Sequence, residues 1–175
     1  TLQYGKGIIG IEDTINDYLI DIIHALRLDC QWLIKLHPAQ CTGREYEYAI
    51  LFLKNKFKNL SDVVEWDATS KLPLPILMQI STLHITFNSG SAIEAYKMGL
   101  NTGLLDRRSE LMNSWFGDYM KCGLIEILPE NKLKFISWIY KKSKRVSFNE
   151  KSVDEDNGYN QFISTLQSIG NNIHA

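Results

Sequence analysis

The sequence predicts an α/β fold, an open parallel sheet with helices on both faces, and three observations carry that expectation. Short β-branched or aromatic runs alternate with stretches of helical periodicity along the chain. Strands that alternate with helices imply parallel β-α-β units, whose crossovers are nearly always right-handed. Finally, the stretch HITFNSGSAIEAYKMG at 84–99 passes from strand to helix across Asn-Ser-Gly-Ser with no linker.

The elements follow in order. TLQYGKG at 1–7 reads as the carboxyl end of a strand followed by a glycine-rich loop. Ile15, Tyr18, Leu19, Ile22, Ile23 and Leu26 recur at helical spacing opposite Asp17, Asp21 and Arg27, which predicts an amphipathic helix capped by Asp13 or Thr14. QWLIKL at 31–36 is a strand stopped by His37-Pro38. Tyr46, Ala49, Ile50, Leu53 and Phe57 repeat the helical pattern, and DVVEW at 62–66 is the next strand. Proline-bounded LPILMQIS at 74–81 is a short helix, LHITF at 83–87 a strand, 92–98 a helix and TGLLD at 102–106 a strand. A helix at 114–121, a strand at 124–128 and a strong helix at 131–144 complete the alternation. Residues 147–158 form a polar linker, and 162–169 form a last amphipathic piece. The expected organisation is therefore one Rossmann-like domain over 1–146 and an appendage over 147–175.

Composition narrows the partners. With 19 Lys+Arg against 20 Asp+Glu there is no basic field for nucleic acid. Cys30, Cys41 and Cys122 are irregularly spaced, which suits reduced thiols in the cytoplasm better than a disulfide framework or a zinc site. No apolar run approaches the roughly 20 residues that span a bilayer. The chain opens on Thr1, and it reads as a processed product or as a piece of something longer.

In a sheet of this kind ligands gather beyond the carboxyl ends of the strands. Those positions are 3–7, 35–38, Trp66 with Asp67, 88–91 and 106–108. They combine a cation, an imidazole, hydroxyls and a glycine-rich helix start, a set suited to phosphate. Ser89 and Ser91 offer hydroxyls, the backbone near Gly90 offers N–H groups, and Lys35 or His37 offers charge. Plainer roles stand beside each. Ser89 or Ser91 can be a helix cap, His37-Pro38 a turn, Lys35 a solvated side chain, and Glu94 a partner of the helix dipole. Trp66, Tyr96 and Met98 fit a core, and Asp106 can cap a following helix. Lys141, Lys142, Lys144 and Arg145 suit the negative end of the last helix or, alternatively, a membrane surface. His24, His84 and His174 have no partner at ligand spacing and are assigned nothing.

The combination of KLHP at 35–38 with HITFNSGSAIEAYKMGLNTGLLD some fifty residues on resembles the C-terminal, donor-binding domain of GT-B glycosyltransferases. Bacterial surface-polysaccharide enzymes, including the sialyltransferase and Kdo transferase groups, look most similar, and the resemblance covers roughly residues 32–128. It implies that His37, within His37-Pro38, and Ser89, Gly90 and Ser91 contact the phosphate of a nucleotide sugar, with His37 in the catalytic role. By the same resemblance Glu94 holds the ribose and Lys35 supplies background charge.

The implied activity is sugar transfer from a CMP- or UDP-linked donor to a glycan or lipid-linked acceptor. No metal or other cofactor is expected, because GT-B enzymes typically need none and no DxD-like cluster is present. The general base and acceptor site would lie in an N-terminal domain missing from this chain. The expected setting is the cytoplasm, including the inner face of the membrane as a peripheral contact. The S-G-x-x-x-E arrangement is also similar to non-hydrolysing UDP-sugar 2-epimerases, although the paired glutamates of that group are lacking. A non-catalytic nucleotide-binding or interaction module is the remaining alternative.

Overall fold

A computed structural model describes residues 10–106 and 113–143. The expected features at 1–7, at 107 and 108, and from 144 onward, including the linker and the last amphipathic piece, lie outside the described residues.

The chain is α/β with parallel strands, as its alternation predicts. Helices α1 (Ile11–Thr14) and α2 (Asp17–Ala25) are separate. Ile15 leaves the helical region, and Asn16 caps α2 by accepting the Leu19 N–H at 2.9 Å. The cap is therefore Asn16 rather than Asp13 or Thr14; Asp13 instead accepts the Gly10 N–H. Strand β1 (Trp32–Leu33) leads through a 3₁₀ turn, Pro38–Cys41, into α3 (Gly43–Lys56). Then follow β2 (Val64–Glu65), α4 (Asp67–Lys71), α5 (Leu74–Ile80) and β3 (Leu83–Thr86). The described chain closes with α6 (Ser91–Lys97), β4 (Asn101–Leu104), α7 (Asn113–Lys121), β5 (Ile125–Ile127) and α8 (Lys132–Lys142).

The sheet is in two pieces, β1-β2 and β3-β4-β5, with every pair parallel. Strands β1 and β2 are shorter than the runs that predict them because α4, which the sequence pattern does not reveal, lies against the end of β1. The Thr69 hydroxyl donates to the Ile34 carbonyl at 2.5 Å and the Ser70 hydroxyl accepts the Leu36 N–H at 3.2 Å. Side chains of a helix thus take backbone partners that a neighbouring strand would otherwise supply.

Strand alternation divides the core. Leu83, Ile85, Leu105 and Leu128 pack into the main cluster with Ile22 and Ile23 of α2, Leu53 of α3, and Phe135 and Ile139 of α8. On the opposite face Leu104 and Ile125 pack under Ala92 of α6 and Phe116 of α7. Helices thus cover both faces. Gly99 ends α6 with φ +72°, and the Leu100 N–H then returns to the Ala95 carbonyl at 2.9 Å. That left-handed residue lets β4 begin at Asn101, two residues after Gly99.

Helix α8 is pinned by a polar cluster. Glu126 on β5 accepts the Trp138 indole N–H at 2.8 Å and pairs with the Lys142 ammonium, which also donates to the Gly123 carbonyl. The Lys142 carbonyl in turn accepts from Asn101. Removing Glu126 leaves an indole and an ammonium short of a partner in a half-buried place, so Glu126→Ala is expected to cost about 2 kcal/mol in urea unfolding. Asp62→Ala, which breaks the exposed pair with Arg27, is expected to cost less than about 1 kcal/mol.

Candidate functional site

The site is built where β3 hands over to α6. Residues 83–86 form a strand because they are β-branched, apolar or aromatic and pair with β4; His84 stands opposite Thr102, and Thr86 opposite Leu104. Beyond Thr86 the pairing continues as backbone contacts from Leu105 to Thr86 and from Asp106 to Phe87. The ends of β3 and β4 therefore stay together. Across them the Asn88 amide donates to the Asp106 carboxylate at 3.4 Å, and Asp106 is buried.

The turn itself is tight. Gly90 already has helical dihedrals, φ −54° and ψ −21°, and the Ala92 and Ile93 N–H groups bond back to the Ser89 and Gly90 carbonyls. The Ser89 hydroxyl accepts the Ser91 N–H at 3.2 Å, but the N-cap is Gly90, so neither serine takes the expected N-cap position. Helix α6 has seven residues, so its macrodipole is a small term and the hydroxyls and side chains matter more. Gly90 is exposed, and a Cβ added there would meet nothing within 4 Å. Glu94, exposed in the first turn of α6, stands away from the core.

Beneath the turn lies His84, which sequence reasoning passed over. Its Nε2 is 3.4 Å from the Ser91 hydroxyl and its Nδ1 is 3.2 Å from the Thr102 hydroxyl. Burial lowers its pKa to about 4, so the ring is neutral at pH 7. A neutral imidazole has one donor and one acceptor, and each hydroxyl can play either part. The group can therefore orient Ser91 as a donor to an anion or as an acceptor. The signal was the period of the strand: His84 and Thr86 share the face that α6 covers.

A second set of residues follows β1. His37, Pro38 and Gln40 make a compact turn in which the His37 N–H donates to the Gln40 side chain at 2.8 Å. The His37 carbonyl accepts from the Gln40 N–H and the Cys41 thiol. Burial lowers the His37 pKa as well. Lys35 directs its ammonium to the Ser70 and Leu72 carbonyls at 3.0 and 2.6 Å, closing the last turn of α4. Trp66 is partly buried against the main core.

Ser89, Gly90, Ser91 and Glu94 thus share one turn, joined by His84, Thr102, Asn88 and Asp106, and Lys35, His37 and Pro38 follow β1. Among the described residues no group of three His, Cys, Asp or Glu side chains is placed to hold a metal ion, and no helix is long and apolar enough to cross a membrane. No protein-family model matches the sequence, and no curated protein or solved structure matches it either.

Proposed function

We propose that this chain is the donor-binding half of a GT-B glycosyltransferase, taking a CMP- or UDP-linked sugar at the joint between β3 and α6. The observation that carries the reading is the gathering of Ser89, Gly90 and Ser91 at the carboxyl end of a parallel strand, over His84 and Thr102. Open α/β sheets bind ligands at that edge, and the turn offers hydroxyls at a backbone close to solvent.

In sugar transfer, negative charge grows on the phosphate oxygen that leaves the sugar. Donors that meet the charge more strongly as it develops lower the barrier. Ser89, Ser91, the N–H groups around Gly90 and the His37 imidazole take that part, and Glu94 holds the ribose hydroxyls. Lys35 adds positive potential from its place on the α4 carbonyls. The base that deprotonates the glycan or lipid-linked acceptor belongs to a further N-terminal domain. The reading carries with it a cytoplasmic setting.

The test is calorimetric titration of the chain with CMP, UDP, GDP and their sugars. Ser91→Ala and His37→Ala are each expected to weaken the preferred nucleotide about tenfold, the effect of one hydrogen bond to a charged group. Gly90→Val is the sharper variant. A Cβ at that position meets nothing within 4 Å, so the fold is expected to be retained, and lost binding in a variant shown to be folded reports a ligand lying directly against that backbone. Folded protein that ignores every nucleotide at millimolar concentration, or binds one equally well in all three variants, would overturn the reading.

A further inference from the structure

We propose that the open edges of β1 and β3 face each other as one slot for a parallel strand, and that residues 1–4 fill it, giving a single sheet of order β2-β1-(1–4)-β3-β4-β5. The inference rests on the sheet and is independent of the nucleotide reading. Hydrogen bonds define each edge. In β1 the Trp32 and Ile34 N–H groups donate to the Val63 and Glu65 carbonyls, both at 2.8 Å, so the backbone of Leu33 points to the side away from β2. In β3 the Thr86 carbonyl accepts the Leu105 N–H at 2.9 Å, so the backbone of Ile85 points away from β4. No described strand pairs with either of these sides. Ile34 and Ile85 nevertheless pack into the same main cluster, where backbone N–H and C=O groups need partners.

The helices fix where the edges lie. Because crossovers are right-handed, helices on one face accompany steps across the sheet in one direction, and helices on the other face accompany steps in the opposite direction. Helix α3 carries the step from β1 to β2, and its Ala49 and Leu53 lie in the main cluster. Helices α6 and α7 carry the steps from β3 to β4 to β5 on the opposite face, through Ala92 and Phe116. Helix α5 enters β3 on that second face, where its Met78 packs with Ala95 of α6. The step from β2 to β3 therefore runs back past β1, which puts β3 on the open side of β1. Helix α2 shares the α3 face through Ile22 and Ile23, so its step into β1 runs the same way as the step from β1 to β2. The strand that feeds α2 thus stands on the open side of β1, between β1 and β3. Helix α2 itself sits between α3 and α8: Asp17 pairs with Lys56 of α3 at 2.6 Å, and the Tyr18 ring lies 6.1 Å from that of Phe135. By connectivity the feeding strand precedes Gly10. Within that stretch Thr1 and Tyr4 favour extended backbone, and Gly5 and Gly7 end the run. Filling the slot brings 35–38 and 88–91 to one edge on either side of Gly5-Lys6-Gly7, two strand spacings or about 10 Å apart.

Nuclear magnetic resonance of the full, isotope-labelled chain tests this. Cross-strand contacts between Hα and amide protons are expected from residues 1–4 to both 32–34 and 84–86. The Leu33 and Ile85 amides are expected to exchange with solvent at least about a hundredfold more slowly than amides of a free chain, as paired amides do. Gln3→Pro removes an N–H from the middle of the slot. Exchange at Leu33 and Ile85 should then rise about tenfold or more, the equivalent of one lost hydrogen bond. Thr102 and Leu128, whose N–H groups bond β4 to β5, should keep their rates. Contacts to both edges in the parent chain support the inference even where the variant does not fold. It is overturned by contacts to one edge only, by direct contacts between β1 and β3, by Leu33 and Ile85 amides that exchange freely, or by rates that a folded Gln3→Pro variant leaves unchanged. Protection that appears only as protein concentration rises would overturn it too, since the inserted strand would then come from a second copy.

Discussion

Acidification from pH 7 toward pH 4 should destabilise this protein by about 3 kcal/mol more than it destabilises a His84→Asn variant. The native pKa of His84 is about 4, against 6.5 for an ordinary histidine, because burial between β3 and α6 opposes the charged form. Between those two values the unfolded chain takes up a proton that the native state refuses. The associated stability is thus fully present above about pH 6.5 and is lost as the pH falls toward 4; at about 1.36 kcal/mol per pKa unit, the gap gives the stated figure. Urea unfolding of both proteins at stepped pH measures it, and the difference removes the titration of carboxylates common to the two. Superimposable pH profiles would show that the ring takes its proton freely in the native state. The same chemistry bears on the proposed site: at neutral pH His84 would bring no charge to a phosphate and would act through its contact with the Ser91 hydroxyl.

Gly103→Ala should cost about 1–3 kcal/mol, although alanine is at least as good as glycine in a strand. A Cβ at Gly103 would stand 2.5 to 2.8 Å from three side-chain atoms of Leu128, closer than such atoms approach in real proteins. Leu128 is itself buried in the main cluster and has little room to retreat. Leu128→Ala alone should cost about 2–5 kcal/mol by opening a cavity. Combined, the two changes should cost at least about 1 kcal/mol less than their sum, because the added methyl occupies space the leucine vacates. Strictly additive costs in denaturant titration would mean that Leu128 does not lie across Gly103.

Much of this architecture is legible locally. The apolar spacings of α5, α6 and α8 place those helices to within a few residues, since an exposed helix must carry a one-sided apolar stripe. LHITF declares β3 in the same way. Helix α4 was not legible, since DATSK has no apolar period; it forms where Thr69 and Ser70 find backbone partners on the β1 segment. Nor was α1 legible, and the helix read from Ile15 begins instead at Asp17, where Asn16 caps it by accepting the Leu19 N–H.

The candidate site divides similarly. The serines and Gly90 announce themselves by composition and by their place between strand and helix. His84 does not, because a histidine within a strand reveals neither its burial nor its partners until α6 folds over it and β4 brings Thr102 alongside. The sequence by itself determined the alternation of strand and helix and the polar joint at 88–91, because side-chain periodicity and turn chemistry act over a few residues. Only the tertiary structure decided that His84 is neutral and that Lys35 closes α4. Protonation, pairing and exposure depend on neighbours distant in the chain, and folding alone brings those neighbours together.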